Sequence, residues 1–360
     1  MDLNYDPSHL AKRTILITGG ASGFGAAFST RWATAGAQII IGDINPAGAE
    51  VVARMRTETG NPDIHFIHVD VTSWTSQVNF FREAVQLSNH GGIDAVIANA
   101  GISSGAEASA FENPSADYMN GPVPPAPSLK TVDINLTGTM YTVHLALWFL
   151  PRNPGSKSCD EAKNEEEMAS PRDRHILLMG SVASLHPLVT QTPYTVTKHG
   201  ILGLFRCLRV SAPMTAGVRV NIICPYYTDT PLMSGAARAI LAGVPVGKPE
   251  DVVEAATYLV ASKKCVGRSL VTGPRLRLDI PDNVYMYGDD ALEKVRCVGG
   301  DDERAIWECR LHDVDTTDMF TKRIVSVVSA VTIAKGWIGW AKGMAGAVAY
   351  PLRGWWAAKA

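Results

Sequence analysis

Charge is scarce in this chain, and what there is nearly cancels. Asp, Glu, Lys and Arg make up 19% of the 360 residues, with a formal net charge of −2. A balance this close to neutral excludes a protein drawn as a whole to nucleic acid. Cysteine is sparse too. The six (Cys159, Cys207, Cys224, Cys265, Cys297 and Cys309) contain no Cys-x-x-Cys pair and no Cys/His cluster. That excludes ribbon-type metal spacing and a dense disulfide framework, so they read as buried free thiols and no metal site is expected. Residues 1–12 are polar and lack an apolar signal core, so a cytoplasmic, reducing setting is expected. Internal repeats are absent. Apolar residues, at 46%, are plentiful enough for a large core. The length suits one large domain, or one domain plus an appendage.

The first 275 residues alternate short β-rich runs with longer helical stretches. Strands are predicted at 14–18, 39–42, 65–69, 95–99, 175–180, 219–224 and 269–271. Helical patterns fall at 24–35, 47–58, 73–87, 131–150, 194–211 and 251–262. Such alternation predicts an α/β fold: a doubly wound, Rossmann-type parallel sheet with helices on both faces. Right-handed crossovers then bring the loops after the strands to one edge, where ligands bind. Residues 113–128 are proline-rich and read as a surface loop. Residues 151–174 are polar and read as a mobile insertion. The rhythm stops near Gly273, so 1–275 is taken as the domain and 276–360 as a mainly helical extension.

The first strand runs into Thr18-Gly19-Gly20-Ala21-Ser22-Gly23-Phe24-Gly25. A dinucleotide pyrophosphate must reach backbone N–H groups at a helix N-terminus, and Gly19, Gly23 and Gly25 remove side chains that would block it. A glycine turn alone is a weak signal, but this one follows a strand and opens a helix. The second strand ends at Asp43, where a carboxylate accepts both adenosine ribose hydroxyls and repels a 2′-phosphate. No Arg or Lys follows closely, which favours NAD over NADP. A solvated or helix-capping Asp43 is the plainer alternative.

With these motifs in hand, the chain resembles the short-chain dehydrogenase/reductase family, in its smaller-subunit group. The family's Thr-Gly-x-x-x-Gly-x-Gly matches residues 18–25, including Ser22 and Phe24. Its adenine-contacting acid matches Asp70, followed by Val71. Its Asn-Ala-Gly is Asn99-Ala100-Gly101. Its helix asparagine, serine and Tyr-x-x-x-Lys match Asn135, Ser181 and Tyr194 through Lys198. The match spans about 260 residues in the family's order, and the combination is far more specific than any one motif. After the sixth strand the family usually carries Pro-Gly; here Pro225 is followed by Tyr226 and Tyr227. Similar variants occur in members resembling 15-hydroxyprostaglandin dehydrogenase and fungal hydroxypolyketide dehydrogenases, which points to a hydrophobic secondary alcohol or its ketone as substrate.

The resemblance implies an enzyme. Tyr194 and Lys198, four apart on a helix, share one face. A tyrosine serves as acid/base when its phenolate is stabilised, and the Lys198 ammonium does this electrostatically. In the family that lysine also holds the nicotinamide ribose. Ser181 orients the substrate oxygen, and Asn135 holds a water in a proton path through Lys198. Pro225 lies beside the nicotinamide, with Thr228 and Thr230 placed to bond its carboxamide. Each residue has a plainer reading: Tyr-x-x-x-Lys occurs by chance on many helices, and Asn135 suits a buried amide. His144, His186 and His199 read as core or surface histidines, and Asp94 and Asp133 as turn or helix-start carboxylates. An NADP(H)-dependent carbonyl reductase and a non-catalytic dinucleotide-binding scaffold are the rival functions. A homodimer or homotetramer is the family expectation. Residues 324–334 form a small-apolar run, followed by Trp337 and Trp340 between Lys335 and Lys342, with Trp355 and Trp356 near the end. That tail either packs on the domain, covers the pocket, pairs subunits, or lies at a membrane interface.

Overall fold

The computed structural model describes residues 3–159, 170–233, 235–278, 295–296 and 304–309, and helical positions 323, 326, 327, 330, 331, 333–337 and 341. Two compact units divide the chain, Met1–Arg310 and Leu311–Ala360.

The first unit is built on a sheet whose central strands are unbroken apolar runs. β1 (Thr14–Thr18) and β2 (Gln38–Asp43) carry Ile15-Leu16-Ile17 and Ile39-Ile40-Ile41, all without solvent exposure. Strands apolar on both faces need cover on both faces, which is the condition of a parallel sheet between helices. β3 (Ile64–His68), β4 (Ala95–Ala98), β5 (His175–Met179), β6 (Arg219–Pro225) and β7 (Ser269–Leu278) complete the parallel set. The spatial order is β3-β2-β1-β4-β5-β6-β7. The chain moves outward from β1 to β3, then returns to place β4 on the other side of β1. This reversal opens a crevice at the carboxyl ends of β1 and β4, the point where such sheets take ligands.

The helices follow the expected faces. α1 (Gly23–Thr34) stacks Phe28 on Trp32 at 5.1 Å, and the Trp32 indole N–H donates to Thr257 Oγ1 on α8 (Pro249–Ala261) at 2.9 Å. α2 (Gly48–Thr59), α3 (Trp74–Leu87) and α4 (Gly105–Glu112) come next. α5 departs from the single regular helix expected over 131–150. Lys130–Val132 leads into a π-helical stretch, Asp133–Gly138, before regular helix resumes at Thr139–Phe149. Such widened turns recur at functional sites, and this one contains Asn135. α6 (Thr192–Ala216) runs past Pro213 to end at Gly217, whose φ of 63° closes it. α7 is the short Gly235–Ile240.

Three expectations need correction. The sheet does not stop near Gly273: β7 continues to Leu278, and β8 (Val295–Arg296) and β9 (Arg304–Glu308) pair with it antiparallel. The extension, expected to be mainly helical, therefore opens with strands before its described helical positions at 323–341, and the compact unit reaches Arg310. An antiparallel edge strand needs no βαβ rhythm, so periodicity could not announce it. The second correction concerns 151–174. Residues 160–169 lie outside the described residues, but Asn153 and Asp173 flank them in the core, at 4% and 5% exposure. Third, the thiols are not uniformly buried: Cys224 and Cys265 are, while Cys207 is exposed and Cys159 and Cys309 are intermediate. Cys297 lies outside the described residues.

Candidate active site

At the crevice, the glycines separate into two jobs. A Cβ on Gly19 would stand 2.8 Å from the Ala100 Cα, and one on Gly25 would collide with the Gly19 carbonyl and reach within 2.7 Å of Asn99 Nδ2. These two glycines are demanded by the packing of turn, helix and β4. Gly23 differs: its φ is +51° and a Cβ there would meet nothing within 4 Å. Its bare face looks into open space at the start of α1. Ser22, the N-cap of that helix, makes no side-chain capping bond. The first-turn N–H groups thus lack the usual side-chain acceptor, which leaves them for an anion. This cradle fits a dinucleotide pyrophosphate. Phe24 packs against the core cluster and stacks on Phe28 at 6.2 Å, so its side chain is structural.

Asp43 ends β2 beside this turn. Its Oδ2 accepts from Ala21 N at 3.0 Å and its Oδ1 from Asn45 N at 3.0 Å. The carboxylate is held against the glycine turn with acceptor capacity left over. Asp70 closes a turn, accepting from Thr72 N and Oγ1, while Val69 N donates to Asp43 O at 2.8 Å. Val71 is buried and its carbonyl accepts from Gln77 Nε2 at 2.6 Å. Asn99 fastens β4 to the turn, Nδ2 donating to Thr18 O at 3.0 Å and Gly19 O at 2.9 Å; Ala100 N donates to Thr18 Oγ1. Gly101 faces Asn135, whose amide is bonded twice to Ile102: Oδ1 accepts from Ile102 N and Nδ2 donates to Ile102 O, both at 2.8 Å. Asn135 Nδ2 also reaches Thr197 Oγ1 on α6 at 3.4 Å, so this side chain clamps the loop after β4 against the helix that carries Tyr194 and Lys198.

The second cluster forms where β5 ends against α6. Ser181 caps a short 3₁₀ turn, Val182–Ser184, and its Oγ accepts from Ala183 N at 3.1 Å. Across from it, α6 presents Tyr194 and, one turn on, Lys198. The Lys198 ammonium lies 5.5 Å from the Tyr194 ring and donates to Met179 O at 2.8 Å. Lys198 is buried, and burial pulls its pKa down to about 8. Burial pushes the Tyr194 phenol up, while a hydrogen bond with Ser181 draws it back down. Ser181, Tyr194 and Lys198 are thus together, on the same sheet edge as the glycine turn.

Beyond β6, Pro225 leads to an edge-to-face Tyr226–Tyr227 pair with centroids 5.0 Å apart. Besides burial, Cys224 and then Tyr227 push the Tyr194 phenol further up. Thr228 is buried and its hydroxyl donates back to Tyr226 O at 3.0 Å. Thr230 offers its backbone carbonyl to Met233 N and Arg238 Nη2. Neither threonine is brought to Ser181 or Tyr194 by a described bond. His144 lies 5.8 Å from Trp74, ring to ring, and His199 bonds its own helix at Thr195 O.

The opposite edge of the sheet holds a charged cluster that the motifs did not flag. Arg13 and Arg219, both without exposure, converge on Asp173 at 2.8 and 2.7 Å. Asp94 is fully buried beside them, accepting from Thr14 N, Asn153 Nδ2 and Asp173 N, with Arg172 at 2.9 Å. Reading Asp94 as a turn carboxylate therefore understated it. A signal was present: Arg13, Asp94, Asp173 and Arg219 each stand at or just before the first residue of a central strand.

The family model for short chain dehydrogenases matches residues 13–157 and 162–240. The 5′-hydroxyaverantin dehydrogenase of Dothistroma septosporum is 32% identical over 294 residues, covering 79% of this chain and 92% of the relative. The NADP-dependent dehydrogenase M3 of a Phoma species is 27% identical over 75% of this chain and 77% of its own. Among solved structures, that of gox2181 superposes with a TM-score of 0.56 at 27% identity, covering 73% of this chain and 95% of the other.

Proposed function

The chain belongs to the short-chain dehydrogenase family, and on that premise we propose that it is an NAD-dependent dehydrogenase interconverting a hydrophobic secondary alcohol and its ketone. The observation that carries this reading is the placement of Lys198, buried and 5.5 Å from the Tyr194 ring, with Ser181 bonded to the phenol. NAD, when bound, supplies the hydride acceptor. Gly23 and the uncapped N-terminus of α1 would hold its pyrophosphate, and Asp43 its adenosine ribose.

For alcohol oxidation, Tyr194 takes the hydroxyl proton as the carbon gives up hydride. The neighbouring Lys198 ammonium favours the phenolate that must form first. For ketone reduction, the neutral phenol is the proton donor and Lys198 stabilises the phenolate it leaves behind. Ser181 donates to the substrate oxygen and fixes it beside Tyr194, a positioning role. The Tyr226–Tyr227 pair gives the pocket an aromatic wall, which supports a hydrophobic substrate. The relative that acts on 5′-hydroxyaverantin supports a hydroxyl-bearing one. Asp43 supports NAD over NADP; the NADP-dependent relative is the observation on the other side.

The experiment is a panel of hydrophobic secondary alcohols assayed with NAD and with NADP, using the wild type and Tyr194→Phe. Turnover with NAD, lost about 10²–10⁴-fold in Tyr194→Phe with NAD binding retained, is the expected result. Near-normal turnover in that variant would overturn the role of Tyr194.

A further inference from the structure

The second compact unit, Leu311–Ala360, differs in charge from the rest of the chain. From Met319 to Ala360 there are six basic residues (Lys322, Arg323, Lys335, Lys342, Arg353 and Lys359) and not one Asp or Glu. Of the chain's 35 acidic side chains, none falls here. The same stretch holds Trp337, Trp340, Trp355 and Trp356, half of the protein's eight tryptophans. A protein with a net charge of −2 thus ends in a tryptophan-rich cationic segment.

The described positions of this segment, from Arg323 to Ala341, are helical. Val327, Ala330, Val331, Ala334, Trp337 and Ala341 are spaced by three and four, so they share one face of that helix. Every side chain of this set is exposed, Val327 at 57%, Val331 at 47% and Trp337 at 66%. Lys335, also exposed, stands at the flank of the face. An apolar helical face that begins at Arg323 and is flanked by Lys335, with no acidic residue after Asp318, is built for the boundary between lipid headgroups and acyl chains. No helix among the described residues is long and apolar enough to cross a bilayer, so the fit is to lying on a surface.

We propose that the helix containing Val327, Val331 and Trp337 docks the protein on an anionic lipid surface, its apolar face in the headgroup boundary and its basic residues against anionic lipid. The charge pattern decides among occupants. Residues 319–360 of a second copy would bring six more basic residues and no acidic one to pair with them, whereas anionic lipid complements the charge of this stretch. A basic residue near an anionic surface contributes about fivefold in affinity, so the segment's charges act as a group. The proposal does not depend on which substrate the candidate active site takes.

The test is co-sedimentation of the full-length protein with vesicles of phosphatidylcholine alone and of phosphatidylcholine mixed with phosphatidylserine, at low and high salt. Binding to the phosphatidylserine vesicles, weakened by salt and absent on phosphatidylcholine, is expected. Val327→Asp combined with Val331→Asp should reduce that binding at least tenfold, and Lys335→Glu at least fivefold. Val123→Asp, a valine 95% exposed in the proline-rich loop of the first unit, should bind like the wild type. Circular dichroism and dehydrogenase turnover, unchanged in all three, serve to show that the first unit is folded. Failure of the wild type to sediment, equal binding to both vesicle types, or full binding by the double aspartate variant would each overturn the proposal. A light-scattering mass that falls in the double variant, without vesicle binding by the wild type, would assign the face to a second copy instead.

Discussion

At the scale of single residues, Lys198 shows how a site opposes the stability of its own fold. Its pKa sits near 8 in the folded chain against 10.5 unfolded, because burial disfavours the ammonium. Between those values the unfolded chain binds more protons, so this residue's penalty is fully present below pH 8 and is relieved only as pH rises toward 10.5. A shift of that size corresponds to about 3 kcal/mol. Lys198→Met keeps the length of the side chain and removes the charge, at the cost of the bond to Met179 O, about 1 kcal/mol. The variant should melt a few degrees higher at pH 7 while losing turnover; a lower melting temperature would contradict the burial argument. Asp43 allows a companion test. Asp43→Asn preserves shape and one acceptor beside Ala21 N, yet deletes the charge that would repel a 2′-phosphate. The ratio of kcat/KM for NAD over NADP should drop about tenfold or more. An unchanged ratio would move coenzyme choice to some other group.

At the scale of elements, the glycine turn divides packing from binding. Gly25→Ala forces a Cβ onto the Gly19 carbonyl and within 2.7 Å of Asn99 Nδ2, so backbone must move. A cost of about 1–3 kcal/mol is expected, seen as a lower melting temperature. Gly23→Ala meets no atom, and its strain comes only from the positive φ, about 1–2 kcal/mol. Its methyl would stand in the space assigned to the pyrophosphate, so NAD affinity measured by calorimetry should fall at least tenfold. Retained affinity in Gly23→Ala would take the pyrophosphate away from this cradle. The motif as sequence treated these glycines alike; which one faces a ligand depends on where β4 passes, a tertiary fact. The same limit explains α5. Spacing marks 131–150 as helical, and it is, but the widened turn at Asp133–Gly138 has no signature in side-chain periodicity. The central parallel strands were legible because β1, β2, β4 and β5 are apolar runs bounded by glycines or polar residues, and β3, with His65 and His68, was legible from its place in the βαβ rhythm. β9 was not, because its segment Arg304–Glu308 mixes charge with Ala305, Ile306 and Trp307 and borrows its register from β7.

At the scale of the whole molecule, ligand chemistry and charge storage occupy opposite ends of one sheet. The carboxyl ends of the strands carry the glycine turn, Ser181, Tyr194 and Lys198, which motifs announce. The amino ends carry Arg13, Asp94, Asp173, His175 and Arg219, which no motif announces because each is a single residue whose partners are distant in sequence. Burial of that end makes stability depend on pH. His175 has no exposure; its Nε2 accepts from Asn221 Nδ2 at 2.9 Å, which places the ring proton on Nδ1. Burial, with Arg219 nearby, holds its pKa well below 6.5, against the opposing pull of Asp173. Below pH 6.5 the unfolded chain therefore takes up a proton that the folded chain refuses, and stability falls as pH falls. Asp173 acts lower. Arg219 and Arg13 hold it well below the usual carboxylate range, so its contribution is intact above about pH 4 and is lost only beneath that. Asp94, raised by burial, works in the opposite sense and gains as acid neutralises it. The first loss on acidification thus belongs to buried histidine, at up to about 1.4 kcal/mol per pH unit for one site. His175→Gln retains an acceptor for Asn221 Nδ2 without a titrating ring. Urea unfolding at pH 6.5 and pH 5.5 should show the wild type losing about 1 kcal/mol more than His175→Gln across that interval. Parallel losses in the two proteins would mean that His175 accepts its proton in the folded state, and that the amino end of the sheet opens to water far more readily than its complete burial implies.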